Sequence, residues 1–144
     1  MEHISSLLTQ NLINNISREI IGCAIEVHKE LGPGLLESVY EKCMSHLLVQ
    51  NGLKVTNQKK VPIVFKGLEL DCDLRFDLLV EDLVIVELKT VEAILPIHEA
   101  QLLTYLKLMD KPKGVLINFN CVNIFKEGQK TFVTKKFKEL PKGY

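Results

Sequence analysis

Three charged residues in the middle of the chain could carry out chemistry together: Asp77, Glu87 and Lys89. Glu87 and Lys89 lie two positions apart in a run of β-branched and aliphatic residues, so they share one face of a predicted strand. Asp77 is the single carboxylate of the preceding apolar run. Two converging carboxylates repel unless a cation separates them, and ligation by oxygen alone suits Mg²⁺ or Mn²⁺.

This arrangement predicts metal-assisted hydrolysis of a phosphodiester. The backbone carbonyl of Leu88 could supply another ligand, and Lys89 could deprotonate a water or stabilise charge on a phosphate. The alternative is a solvated strand face on which Glu87 and Lys89 form a surface ion pair worth ~0–1 kcal/mol.

The length of the loop between the two strands decides whether the acids meet. A two-residue turn at Glu81-Asp82 would place Asp77 and Glu87 on opposite faces of the sheet. A three-residue loop centred on Asp82 pairs the two carboxylates, and we predict this longer loop.

Two predicted helices direct more polar side chains toward the same sheet. A helical wheel of the last long helix places His98, Gln101 and Tyr105 on the apolar side, where buried amides and phenols need partners. On the second helix, Glu37 could reach the same metal. Alternatives stay open: Glu37 as a charge favourable to the helix N-terminus, Tyr40 as a core aromatic, and His98 as a helix-end residue contacting water or backbone.

Apolar spacing predicts the elements around these residues. A period of 3.6 indicates helices over 13–31, 36–51 and 97–109, the first stopped by Gly32-Pro33-Gly34. A period of 2 indicates strands over 54–60, 61–66, 70–80 and 83–91, followed by a buried strand over 115–119. Residues 122–125 and 131–133 resemble a closing hairpin, and residues 135–144 an exposed, partly frayed tail. This order predicts an α/β or α+β domain with a mixed central sheet flanked by helices.

Composition is that of an ordinary globular chain. With 144 residues, 47% hydrophobic and 25% charged, we expect one domain over 1–144. The net charge is zero, which excludes the overall basicity of many nucleic-acid binders. The charges are nevertheless segregated: residues 69–99 carry 2 basic and 9 acidic side chains, and residues 107–144 carry 9 and 3. The basic end is either a phosphate-binding surface or a solubilising tail; its candidates are Lys126, Lys130, Lys135, Lys136, Lys138 and Lys142.

The sequence predicts a protein of the cytoplasm. No apolar run reaches the ~18 residues of a membrane helix, and the first fifteen residues lack the features of a signal peptide. Cys23, Cys43, Cys72 and Cys121 form no CxxC pair, so we expect reduced core thiols.

Several segments resemble one bacterial family. Gly34-Leu-Leu-Glu37-Ser-Val-Tyr40 matches the pattern that names the GxxExxY family, and the segments DLLVEDLVIVELKTV, HEAQLLTYLKL and GVLINFN are similar to that family as well. The resemblance covers about residues 17–125. It implies the PD-(D/E)XK nuclease-like fold, whose core order α-β-β-β-α-β agrees with the elements predicted above.

The resemblance also implies roles for individual residues. Asp77 and Glu87 would be the two acids, Lys89 the lysine, and Glu37 the carboxylate of the first core helix. Gln101 and Tyr105 resemble the QxxxY helix of RecB-like exonucleases, which faces the cleavage centre. Arg75-Phe76 stands where many members have a proline, and the cysteine pattern of iron–sulfur members is absent, so no cluster is expected.

Two functions are consistent with these features. The first is a Mg²⁺- or Mn²⁺-dependent nuclease acting on DNA or, second to it, RNA. The other is a non-catalytic module of nuclease fold that binds a protein or nucleic acid, with homodimerisation as one form of it.

Overall fold

The computed structural model describes residues 7–143. Residues 1–6 and Tyr144 lie outside the described residues. The first six belong to the N-terminal segment in which no signal peptide was expected, and Tyr144 belongs to the predicted tail. The elements in chain order are α1 (Gln10–Leu31), α2 (Glu37–Gln50), β1 (Val55–Asn57), β2 (Ile63–Phe65), β3 (Leu68–Leu70), β4 (Leu78–Val80), β5 (Val84–Lys89), α3 (Pro96–Met109), β6 (Lys113–Asn118), α4 (Ile124–Glu127), β7 (Gln129–Val133) and α5 (Lys135–Lys138).

A five-stranded mixed sheet forms the centre, in the order β1-β4-β5-β6-β7. Strands β5 and β6 are parallel, and the other neighbours are antiparallel. Helices α1 and α2 pack on one face of the sheet and α3 packs on the other. The predicted fold class is therefore confirmed: helices flank a mixed central sheet.

The chain forms α1 because one side is apolar and both ends are capped. The Thr9 hydroxyl accepts a hydrogen bond from the Leu12 N–H at 3.1 Å. At the other end Gly32 adopts φ 71° and its N–H bonds to the His28 carbonyl at 2.8 Å. Between residues 7 and 143 no helix is both long and apolar enough to cross a membrane.

The two central strands are buried on both faces, as their apolar runs predict. All of β6 and all but the last residue of β5 are buried. A parallel pair needs a crossover connection, and α3 provides it. Because both strands then run the same way, their carboxyl ends, Lys89 and Asn118, lie in register at one edge.

The predicted strand over residues 70–80 differs from the structure. Residues 70–80 do not form one strand, because β3 pairs with β2 in a separate two-stranded sheet and only β4 joins the main sheet. The polar run Asp71-Cys72-Asp73 interrupts the apolar alternation, and its aspartates form ion pairs with Lys60 and Arg75. Pro62, which has no N–H, separates β1 from β2.

The predicted closing hairpin at residues 122–125 and 131–133 is wrong. Residues Ile124–Glu127 form a short helix whose cap, Asn123, accepts a hydrogen bond from the Lys126 N–H at 2.9 Å. Strand β7 pairs with β6 instead, where it covers an otherwise open edge. All four cysteines are free; Cys23 is buried in the core, Cys43 and Cys121 are half-buried and pack against it, and half-buried Cys72 alone departs from the expectation of core thiols.

The segment predicted to be frayed is packed on the domain as far as it is described. Phe137 of α5 is 9% exposed and Leu140 packs against the same core. The Gln10 and Asn11 N–H groups donate to the carbonyls of Pro141 and Lys142 at 2.9 and 3.0 Å. The C-terminal segment therefore covers the start of α1.

We expect Phe137→Ala to lower the free energy of unfolding by roughly 2–4 kcal/mol, because it opens a cavity under α5. The exposed neighbour Lys138 provides the matched control, Lys138→Ala, which should change it by less than about 0.5 kcal/mol. Urea denaturation followed by circular dichroism measures both. Equal stability of Phe137→Ala and the parent would mean that the segment is frayed after all.

Candidate active site

The register of β4 and β5 brings the two central acids together. Leu78 pairs with Val86 and Val80 with Val84, which leaves a three-residue loop over 81–83. Continued by one position, this register sets Asp77 opposite Glu87 on the face that α3 covers. The predicted odd-length loop is thus observed.

Backbone hydrogen bonds hold the two carboxylates in place. The Asp77 N–H donates to Glu87 Oε1 at 3.0 Å, and the Leu88 N–H donates to Asp77 Oδ2 at 2.7 Å. Each acid is therefore oriented by the other strand. Neither side chain can turn away to solvent without losing a bond to the sheet.

Lys89 lies beside the acids and is shielded from solvent. Its Nζ is 4.0 Å from Glu87 Oε2, with side-chain exposures of 18% for the lysine and 8% for the glutamate. A solvated strand face, the alternative to a site, would leave both side chains in water. The pair is instead enclosed between the sheet and α3.

Burial raises the pKa of both carboxyl groups. The pKa of Glu87 rises to about 8, first because burial disfavours its charge and then because Asp77 is near. The pKa of Asp77 also rises through burial, against the opposing effect of hydrogen bonds from Leu88 and Gln58. Lys89 only partly compensates, so the site has a deficit of positive charge.

Helix α3 contributes Tyr105 but not a buried Gln101. Tyr105 is 5% exposed, and burial followed by the charges of Glu87 and Asp77 raises its pKa, so its hydroxyl is within electrostatic reach of both acids. Gln101, one turn earlier, is exposed, so the predicted burial is wrong. His98 is a helix-end residue whose Nδ1 accepts from the Leu95 N–H at 3.0 Å.

Helix α2 approaches the acids with Glu37 at its exposed first turn. Burial and then Asp77 raise the pKa of Glu37, while Lys89 and His98 lower it, so this carboxyl is within electrostatic reach of the acids. Tyr40 has a structural role, because its ring stacks on Phe119 with centroids 4.1 Å apart and its hydroxyl donates to the Gly32 carbonyl at 2.6 Å. It thereby fixes the turn that sets Glu37 in place.

A divalent ion would find two carboxylates here rather than three. Throughout residues 7–143 no three His, Cys, Asp or Glu side chains are grouped so as to hold a metal ion, so Glu37 lies outside a ligand cluster with Asp77 and Glu87. The donor set nevertheless fits Mg²⁺, which proteins commonly bind through one or two carboxylates together with water and substrate phosphates. In a strand the N–H and C=O of one residue face the same neighbour, so the Leu88 carbonyl faces the β4 side of β5, as its N–H does.

Two polar residues near the acids were missed in the sequence. Gln58, after β1, bonds to Asp77, but nothing local in its polar loop indicates this. Asn118 ends β6 beside Lys89, and its amide bonds to both backbone groups of Val91 at 2.9 and 3.1 Å. The sequence did contain a signal for Asn118. It is a polar residue at the end of a buried parallel strand, and ligand sites are common at the carboxyl ends of such strands.

Comparison with known proteins adds the family. A sequence model of the PD-(D/E)XK nuclease superfamily matches residues 14–132, which is most of the chain. The chain belongs to this superfamily. Searches of curated proteins and of solved structures gave no match. Membership agrees with the observed fold and indicates a nuclease-like function that uses a nucleic-acid substrate and divalent metal.

Because the pKa of Glu87 is raised, the free energy of unfolding should change with pH in one predictable direction. Between its ordinary pKa of 4.5 and about 8, the unfolded chain has released this proton and the folded chain keeps it. The free energy of unfolding therefore falls as pH rises through this window. We expect Glu87→Gln, which cannot ionise, to be more stable than the parent by roughly 1–3 kcal/mol at pH 8 and by far less at pH 5.

Thermal or urea denaturation in EDTA at the two pH values measures this difference. Glu92 is exposed, so Glu92→Gln serves as the control and should follow the parent at both values. If the free energy of unfolding of Glu87→Gln differed from that of the parent by the same amount at pH 5 and pH 8, Glu87 would ionise with an ordinary pKa.

Proposed function

We propose that the protein is a Mg²⁺- or Mn²⁺-dependent nuclease that hydrolyses phosphodiester bonds in DNA, with RNA as the second candidate. One observation carries the proposal: the buried carboxyl of Glu87 and the half-buried carboxyl of Asp77 converge, and a lysine lies 4.0 Å from Glu87. From the GxxExxY motif at Gly34–Tyr40 we also propose that the chain belongs to the bacterial GxxExxY family. We further propose that the protein is located in the cytoplasm.

The proposed ligands are Asp77, Glu87 and the Leu88 carbonyl, with Glu37 assisting across the site. A divalent ion held by them would offset the carboxylate charge, lower the pKa of a bound water and polarise a phosphate oxygen. The protein residues do the rest. The reciprocal hydrogen bonds between β4 and β5 keep the acids oriented before substrate arrives, so little reorganisation is needed.

Lys89 and Tyr105 are the proposed partners of the reacting groups. Lys89 holds its amino group beside Glu87, where as an ammonium it can stabilise negative charge on the phosphate, or as a neutral amine it can take the proton of the attacking water. The Tyr105 hydroxyl, within electrostatic reach of both acids, can donate to a phosphate oxygen or to that water. Gln101, which is exposed, is the proposed contact to the substrate outside the acid pair.

A cleft one strand away from Lys89 supports a nucleic-acid substrate, although Glu92 and Glu127 line it as well as lysines. It has a volume of about 490 Å³ and begins at Asn118, the in-register neighbour of Lys89. Lys126 and Lys130 line it and can contact phosphates, although Lys130 also pairs with Glu99 at 2.7 Å. Of the other tail lysines, Lys136 is paired with Asp110 at 3.0 Å, which reduces the basic surface left for DNA.

A second candidate is a binding module that retains the nuclease fold. It is favoured by the β2–β3 hairpin, whose cross-strand pair Phe65 and Leu68 is 61% and 59% exposed. Such an apolar face suits a protein partner or a second copy of the chain.

Cleavage of labelled single-stranded, duplex and branched DNA, and of RNA, tests the proposal with Mg²⁺ or Mn²⁺. We expect metal-dependent cleavage by the parent and a loss of roughly 100-fold or more in Asp77→Ala and in Lys89→Ala. Exposed residues of the same charge provide the controls, Glu69→Ala and Lys66→Ala, which should cleave like the parent. Cleavage that survives both site variants would indicate a contaminant, and no cleavage of any substrate would favour the binding module.

A further inference from the structure

Gln58 contacts two acids from different parts of the chain. Its Nε2 donates to Glu41 Oε1 at 2.6 Å and to Asp77 Oδ1 at 3.1 Å, and its backbone N–H donates to the Asp77 carbonyl at 2.9 Å. One residue thus fixes both the main chain and the side chain of a proposed metal ligand.

From this geometry we infer that Gln58 is a positioning residue: its amide orients Asp77 for metal binding and ties α2, which carries Glu37, to the site. This inference rests on the proposed function. Gln58 is exposed and does not approach the Glu87 side chain through any bond described for residues 7–143, so it acts through Asp77 rather than on the substrate.

The link to α2 runs through Glu41, one turn after Glu37. Glu41 accepts from Gln58 through Oε1 and from the Asn57 amide, at 3.2 Å, through Oε2. Asn57 also donates to the Ser45 hydroxyl at 2.6 Å. The amides of Asn57 and Gln58 therefore connect the end of β1 to α2 by hydrogen bonds. Of these two, Gln58 also bonds to Asp77.

The amide also separates two negative charges. Glu41 and Asp77 repel, and Nε2 lies between their oxygens as a shared donor, which is a role that a carboxylate cannot take. Replacing this amide by a carboxylate would bring a third acid into the gap. A glutamine is therefore required at this position for its chemistry and not for its size alone.

The backbone of Gln58 is unfavourable for its residue type. Its φ of 51° lies in the left-handed region, where glycine and asparagine are favoured. Other non-glycine residues in that region belong to turns or caps, among them Lys66 in the β2–β3 turn and Asp110 at the end of α3. A glutamine retained in this conformation next to an acid pair is the pattern of local strain kept for a functional contact.

Gln58→Gly separates the structural role of this residue from the positioning role. Glycine suits the backbone, which offsets part of the lost hydrogen bonding, so the thermal midpoint should fall no further than in Asn57→Ala, while loss of the amide should weaken Mn²⁺ binding by about 10–100-fold. Calorimetric titration of Mn²⁺ into the full chain measures the affinity. Lys66→Gly is the matched control, because it relieves the same backbone conformation away from the acids and should bind Mn²⁺ like the parent.

Two more variants sharpen the result. Gln58→Asn tolerates the same φ but is too short to bridge both acids, so it should behave like Gln58→Gly. Asn57→Ala breaks the contacts to α2 without touching Asp77 and should lower the thermal midpoint with less than a threefold change in affinity. Unchanged Mn²⁺ affinity in Gln58→Gly and Gln58→Asn overturns the positioning role, whereas absence of Mn²⁺ binding by the parent overturns the proposed function itself.

Discussion

Two carboxyl groups that would repel each other if both were ionised, one buried and one half-buried, are held together, and the rest of the structure depends on this contact. Asp77 and Glu87 are linked by reciprocal bonds from each other's strands, with nitrogen–oxygen distances of 3.0 and 2.7 Å. Burying like charges is costly, which is why the pKa of Glu87 rises to about 8. Such an arrangement is stable in an ionised form only when positive charge is brought to it.

The surrounding elements supply rigidity and partial charge compensation. The parallel strands β5 and β6 end at Lys89 and Asn118, which lie in register. The Asn118 side chain hydrogen-bonds to the backbone of Val91 and so holds the segment that follows β5. Tyr105 of α3 is buried within electrostatic reach of the acids, and α2 is joined to the site through the Gln58–Glu41 contact, with the turn before it held by Tyr40. Each of these elements is packed on the core, so separating the acids would disrupt that packing.

The sequence was sufficient for the fold and for the centre of the site. The helical stripes of α1 to α3 and the continuously apolar β6 follow from periodicity, because burial on one or both faces leaves a clear pattern. The loop over 81–83 was predicted by requiring that Asp77 and Glu87 share a face. Its conformation was not, since Glu81 and Asp82 both adopt positive φ without a glycine.

Other features depend on contacts between distant residues. Gln58 acquires its role from Glu41 and Asp77, 17 and 19 positions away, and no local pattern encodes this. The break between β3 and β4 coincides with two ion pairs, which Asp71 and Asp73 form with Lys60 and Arg75. The packing of the C-terminal segment depends on a single aromatic, Phe137, within a lysine-rich run whose composition indicates a solvated tail.

Metal binding coupled to proton release tests most directly whether the buried acids exist to hold a cation. At pH 7 Glu87, with a pKa of about 8, carries a proton that a divalent ion must displace. Calorimetric titration of Mg²⁺ or Mn²⁺ in two buffers of different ionisation enthalpy should therefore show binding with release of most of one proton, and Glu87→Gln should abolish that release. Metal binding without proton release, or no metal binding, would contradict it.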